Sequence, residues 1–141
     1  MKFLKFFIFA LLLLLLDHAK VEAADFVVVV NKDNPVESLD RSVVKHIFLG
    51  KKTFWDDGQH IDVFLQPDSD LHTSFALEIL HKSPNQLLMH WKHILFSGTG
   101  IPPRHYPDNN SMKEAIAVNP QAIGYIDAQQ LDSTIKKIPL H

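Results

Sequence analysis

Five consecutive residues, Phe26-Val-Val-Val-Val30, constrain most strongly what this chain can fold into. β-branched side chains favour extended backbone. A run with no polar alternation has no face to give to water, so it fits a strand covered on both sides. Asn31-Lys-Asp-Asn-Pro35 ends it in turn residues. The layers that cover such a strand must come from the rest of the chain.

The remaining sequence alternates helix and strand signals. Asp40 is expected to cap a short helix, with Leu39 and Val44 at the spacing of a hydrophobic staple. Val44, Ile47 and Phe48 form its apolar stripe, and Gly50 ends it. Lys51 to Gln59, containing Phe54, Trp55 and Gly58, reads as an exposed turn. Ile61 to Leu65 is a second strand. Pro67-Asp-Ser-Asp70 then opens a helix with Leu71, Phe75 and Ile79 at four-residue spacing. Ser83, Pro84 and Gln86 form a capping box with proline at the first helical position. In that helix Leu87, Leu88, Trp91 and Leu95 share one face.

A long loop is expected from Ser97 to about Asn110. Ser111 and Glu114 suggest a second capping box, for a helix that Asn119-Pro120 ends. Ala122 to Ile126 is a third strand with Gly124 inside it. A short helix near 128–131 and a last strand near 134–138 follow. This alternation predicts an α/β fold, a three-layer sandwich with a mixed sheet. The expected core is Val28, Val30, Ile47, Phe48, Phe75, Leu87, Trp91, Ile123 and Tyr125.

The start of the chain reads as a secretory signal. Lys2 and Lys5 supply a positive n-region, and Phe6 to Leu16 is an unbroken apolar run of eleven residues. Val21-Glu-Ala23 offers tolerable cleavage residues, so the cut is expected after Ala23, with Ala24 as the neighbouring alternative. The run is too short for a spanning helix, which needs about 20 apolar residues. No cysteine is present for lipid attachment. The expected organisation is a signal peptide over 1–23 and a single domain over 24–141, exported and not inserted in the membrane.

Removing three lysines and two acids with the leader leaves 11 basic and 14 acidic residues, a net charge of −3. A net-acidic domain without a basic stretch argues against nucleic-acid binding. The lack of cysteine excludes disulfides and thiol chemistry, so the fold must rest on its apolar core.

Enzyme signatures are weak. No GxSxG elbow is present. Asp56 and Asp57 sit in a turn and read as turn formers. His90 and His93, three residues apart, and the upstream His81 make a zinc site thinkable, but no HExxH pattern or carboxylate accompanies them. No cofactor, metal site or catalytic residue is expected.

Two segments suit anions. Asp68-Ser-Asp-Leu-His-Thr-Ser74 joins a strand to a helix, where free N–H groups and the helix dipole favour negative charge. Ser69, Thr73 and Ser74 add hydroxyls, and His72 adds a cation if protonated, in which case affinity should rise as pH falls through about 6.5. In the second segment, Ser97-Gly98-Thr99-Gly100, small residues let backbone amides approach a ligand.

The order of these segments resembles a known family. Val36 to Asp57, containing Leu39, Ile47-Phe48, Gly50-Lys51 and Trp55-Asp56-Asp57, is similar to the "L…I(F/Y)xGK…W(D/N)D" segment of PstS-type phosphate-binding periplasmic proteins of ABC transporters. Asp68 to Phe75 occupies the place of that family's ligand loop. Trp91 to Gly100 resembles its "W…GxG" region, and Asn119-Pro-Gln-Ala-Ile-Gly-Tyr125 its "xPGAIGY" segment. The resemblance runs from about Phe26 to Asp127. It implies one lobe of a type II periplasmic binding protein, a periplasmic location, no enzymatic activity, and phosphate or another small anion as ligand. Family members have two lobes, and this chain resembles the second. The resemblance therefore also implies that the exposed edge meets a partner, either a second copy or another exported protein. An interaction or sensory module that kept the lobe is the alternative. Gln66 or Pro67 stands near the family's ligand-gripping arginine, and Leu71-His72-Thr73 replaces its Ser-Gly-Thr, so only Thr73 carries over directly.

Overall fold

The valine run becomes strand β1 (Phe26–Val30), and it is covered on both faces. The computed structural model describes residues 25–141; the expected leader, 1–23, lies outside the described residues. Successive side chains of a strand point to opposite sides. Val28 and Val30 enter one apolar cluster, while Val29 enters a second on the other face.

Helix α1 (Arg41–Phe48) follows, then β2 (Asp62–Leu65) and α2 (Asp70–Phe75), which a π turn continues over Ala76–Leu80. Next come α3 (Pro84–Ser97), β3 (Arg104–His105), α4 (Asn109–Ala117), β4 (Ala122–Asp127), a 3-10 turn (Ala128–Gln130) and β5 (Lys136–Lys137). The sheet order is β3-β2-β4-β1-β5. β2 runs parallel to β3 and β4, whereas β1 is antiparallel to β4 and β5, so the sheet is mixed as expected. The β1–β4 register places Val28 opposite Tyr125 and Val29 opposite Gly124.

The layers follow from side-chain alternation. Val44, Ile47 and Phe48 of α1, Leu71 and Phe75 of α2, and Leu87 and Trp91 of α3 pack with Val28, Val30, Leu65, Ile123 and Tyr125. Met112 and Ile116 of α4 cover the opposite face against Val29, Phe64 and Ile126. Gly124 lets α4 lie close, because a Cβ there would stand 2.7 Å from Met112 Sδ. All nine expected core residues are buried.

Several local expectations are corrected. Trp55 is not exposed in its turn: it is buried, and its Nε1 donates to the Gln121 carbonyl at 3.1 Å. Asp40 stands at the N-cap of α1 without capping it, and its carboxylate meets His141 Nε2 at 2.6 Å instead. The box opening α4 is Asp108 with Ser111, not Ser111 with Glu114, because the helix begins earlier. The loop after α3 contains β3, too short to leave a periodic signal. On α3 only Leu87 and Trp91 are buried; Leu88 and Leu95 stay largely exposed.

A groove at the carboxyl edge of the parallel strands

β3, β2 and β4 are parallel, so His105, Gln66 and the end of β4 lie at one carboxyl edge. Open α/β sheets place ligands outside that edge. Here β2 leaves the sheet, turns through Pro67-Asp68, and enters α2. Ser69 caps the helix, its Oγ accepting from His72 N–H at 3.2 Å while donating to the Gln66 carbonyl at 2.9 Å.

A buried polar network ties the edge together. Gln66, 1% exposed, donates from Nε2 to the Tyr125 carbonyl at 2.9 Å and to Asn109 Oδ1 at 3.1 Å. The Gln66 backbone N–H donates to Tyr125 Oη at 2.9 Å. Tyr125 Oη also lies 2.5 Å from His72 Nδ1. The Tyr125 ring stacks on Phe75 with centroids 4.1 Å apart. Burial pushes the phenol well above its usual pKa, so it stays protonated and has a proton to give.

That proton sets the state of His72. Tyr125 Oη already accepts from Gln66, and a buried hydroxyl needs an acceptor. Where the Tyr125 hydroxyl donates, His72 Nδ1 is its acceptor and the ring proton sits on Nε2. Burial, reinforced by the charge of His105 and opposed by Asp68, lowers the His72 pKa below 6.5. Burial thus favours the neutral ring over the cation that the sequence allowed if His72 were protonated. His72 is 2% exposed, and among the described residues its ring is hydrogen-bonded through Nδ1 to Tyr125 Oη. Trp91 Nε1 is the fully buried side-chain nitrogen left without a partner there.

His72 lines a groove of about 600 Å³ between α3, the β2–α2 turn and β3. Leu65, Leu88, Trp91 and Leu95 form much of its wall, with Asp68, Lys92 and His105 also lining it. Of the expected anion residues, His72 lines this groove. Ser69 is committed to its cap, Thr73 is exposed and Ser74 half-buried, all within the first turns of α2. The second segment lies apart. Gly98 ends α3 in the left-handed conformation, and Ser97 Oγ bonds the Ile94 carbonyl and Thr99 Oγ1. Thr99 lines a different hollow, reached from the other side of Trp91. Lys92 and His105 were missed in the sequence; neither carries a local signal, because chain crossing brings them to His72. Among the described residues no group of three His, Asp or Glu is placed to hold a metal. His90, one of the sequence's metal candidates, is engaged by the Leu49 carbonyl at 2.9 Å.

The state of His72 has a consequence for stability. A histidine whose folded pKa is lowered resists the proton that the unfolded chain accepts. Its contribution is fully present above about pH 6.5 and is lost as pH falls through that value toward the lower folded one. The urea midpoint should therefore drop between pH 7.5 and 5.5, with Asp68, His105, Lys92 and Tyr125 as the surrounding groups. His72→Gln should make that drop shallower. An unchanged pH dependence in the variant would show that His72 is not the group responsible.

Comparison with known proteins bears on the fold. Among curated proteins none matches the sequence. Solved structures do match in fold. An ABC-type phosphate transport receptor from Vibrio cholerae superposes with a TM-score of 0.65 at 23% identity, over 83% of this chain and 46% of that one. A Clostridium perfringens protein solved with bound phosphate gives 0.64 at 24% identity, over 85% and 47%. PstS from Borrelia burgdorferi gives 0.61 at 12% identity, over 84% and 47%. The chain thus spans about half the length of these solved relatives. The family model of the PBP superfamily domain matches residues 18–138. With the mixed sheet and its helical layers in place, the chain belongs to the PBP superfamily.

Proposed function

We propose that this chain is an exported, non-enzymatic solute-binding domain of the periplasm, and that it takes a small anion, phosphate or a comparable ion, at the β2–α2 turn. The observation that carries the reading is the buried His72 ring, hydrogen-bonded at Nδ1 to Tyr125 Oη, which lines a groove with Asp68, Lys92 and His105. A neutral donor held in place by Tyr125 can bind an anion without first gaining a proton or reorienting. Ser69, Thr73 and Ser74 surround the same helix start, and Ser97, Gly98 and Thr99 are the next place to look. The phosphate held by the Clostridium perfringens relative supports testing that ion first.

Calorimetric titration with phosphate and sulfate tests the site. His72→Phe should weaken binding about tenfold or more, the cost of a lost hydrogen bond to a charged ligand. Thr73→Ala should weaken it less. Equal binding by wild type and both variants would move the site to the Ser97–Thr99 loop. Mass spectrometry of the same preparation should find an N-terminus at Ala24 or Asp25; retention of residues 1–23 would remove the exported reading. Phe96 and Ile101, 85% and 82% exposed near the end of α3, favour a second reading in which that surface is covered by another copy of the chain. Light scattering with and without anion should then show a dimer, and a strict monomer would oppose it.

A further inference from the structure

We propose that the groove takes an organic monoanion with an apolar body, of the class of a short-chain carboxylate, in preference to a bare inorganic ion. This rests on the anion-binding reading above and names the ligand class of that site. The volume of about 600 Å³ lies within the range of roughly 300–1,000 Å³ typical of small-molecule sites. Its walls are largely Leu65, Pro84, Leu88, Trp91, Leu95 and Pro102. Leu88 and Leu95, 47% and 56% exposed, continue the apolar face of α3 beyond the buried Leu87 and Trp91. A bare ion leaves that surface wet, whereas an alkyl or aryl body removes it from water.

The charges point the same way. The groove is lined by one lysine, Lys92, and one carboxylate, Asp68, with His72 and His105. A multiply charged ion would give up water for one cation while facing a like charge, an exchange that costs free energy. A single carboxylate needs only one cation and one donor. His72 Nε2–H supplies the donor, fixed by the Tyr125 hydroxyl on the other ring nitrogen. Lys92, on the exposed side of α3, supplies the cation.

The test uses protein purified from cells expressing the full chain, titrated with acetate, butanoate, hexanoate, hexanol, phosphate and sulfate. Each added pair of methylenes should tighten carboxylate binding about tenfold. Hexanol should bind at least about tenfold more weakly than hexanoate, as loss of a charge-assisted contact requires. The double variant Leu88→Ala, Leu95→Ala changes partly exposed side chains and should flatten the chain-length series. Lys92→Met keeps an apolar stem and should bring hexanoate close to hexanol. A flat series in wild type, hexanol binding as tightly as hexanoate, or a series untouched by the double variant would overturn the inference. Phosphate binding with a flat carboxylate series would leave the anion reading standing and remove this one. No binding of phosphate, sulfate or any carboxylate would remove both.

Discussion

Replacing Trp91 by Ala should lower stability by about 3–5 kcal/mol, the usual cost of truncating a buried aromatic. For a chain of this size that corresponds to a thermal midpoint lower by roughly 10–20 °C. Trp91 is 8% exposed and lines both the groove and the hollow on its other side, so truncation joins the two spaces. Its ring also fills the space beside Gly50, where a Cβ would stand 2.7 Å from Trp91 Cη2. Gly50 has φ +76° after α1, so glycine serves there both as a left-handed helix stop and as a seat for the indole. Trp91→Phe should behave differently. The indole Nε1 is buried without a partner, and removing an unsatisfied donor offsets part of the lost packing. Trp91→Phe should therefore cost clearly less than Trp91→Ala, since it keeps most of the ring and removes the orphan donor. A thermal midpoint unchanged in Trp91→Ala would show that the indole is not part of the core.

Tyr125→Phe should cost about 2–4 kcal/mol, a large effect for the loss of one oxygen. The variant keeps the stack on Phe75 and removes only the hydroxyl. Two buried partners then lose their hydrogen bonds: the Gln66 backbone N–H and His72 Nδ1. Each unsatisfied buried group costs about 1–3 kcal/mol. A second readout separates this from a packing defect. Nitrogen chemical shifts of His72 should show a pure Nε2–H tautomer in the wild type and a mixture in Tyr125→Phe. A wild-type ring protonated on Nδ1 would reverse the direction of the Tyr125 hydrogen bond and take the donor out of the groove.

Much of the fold was legible because its signals are local. The valine run, the Ser83–Gln86 capping box and the apolar stripe of α1 each depend on residues a few positions apart, and each appears where periodicity places it. The resemblance to one lobe of a binding protein agrees with the superposed structures. The candidate site was legible only in outline. Thr73, the one residue that the resemblance carries over directly, is exposed, whereas His72, a cation only if protonated, is buried with its pKa lowered. Gln66, near the family's arginine, turns inward to hold β2 against β4. Leu88 and Leu95 share the helix face of Leu87 and Trp91 by spacing, yet they stay about half exposed.

The sequence by itself determined the layers: a strand apolar on both faces demands helices on both, and cap and turn residues set where those helices start and stop. Tertiary structure alone decided the chemistry of the edge. The charge and tautomer of His72 depend on Tyr125, 53 residues away, and on His105 and Asp68. Proton placement is set by distances of a few ångströms between groups that chain order does not make neighbours. Only folding the parallel strands together fixes those distances.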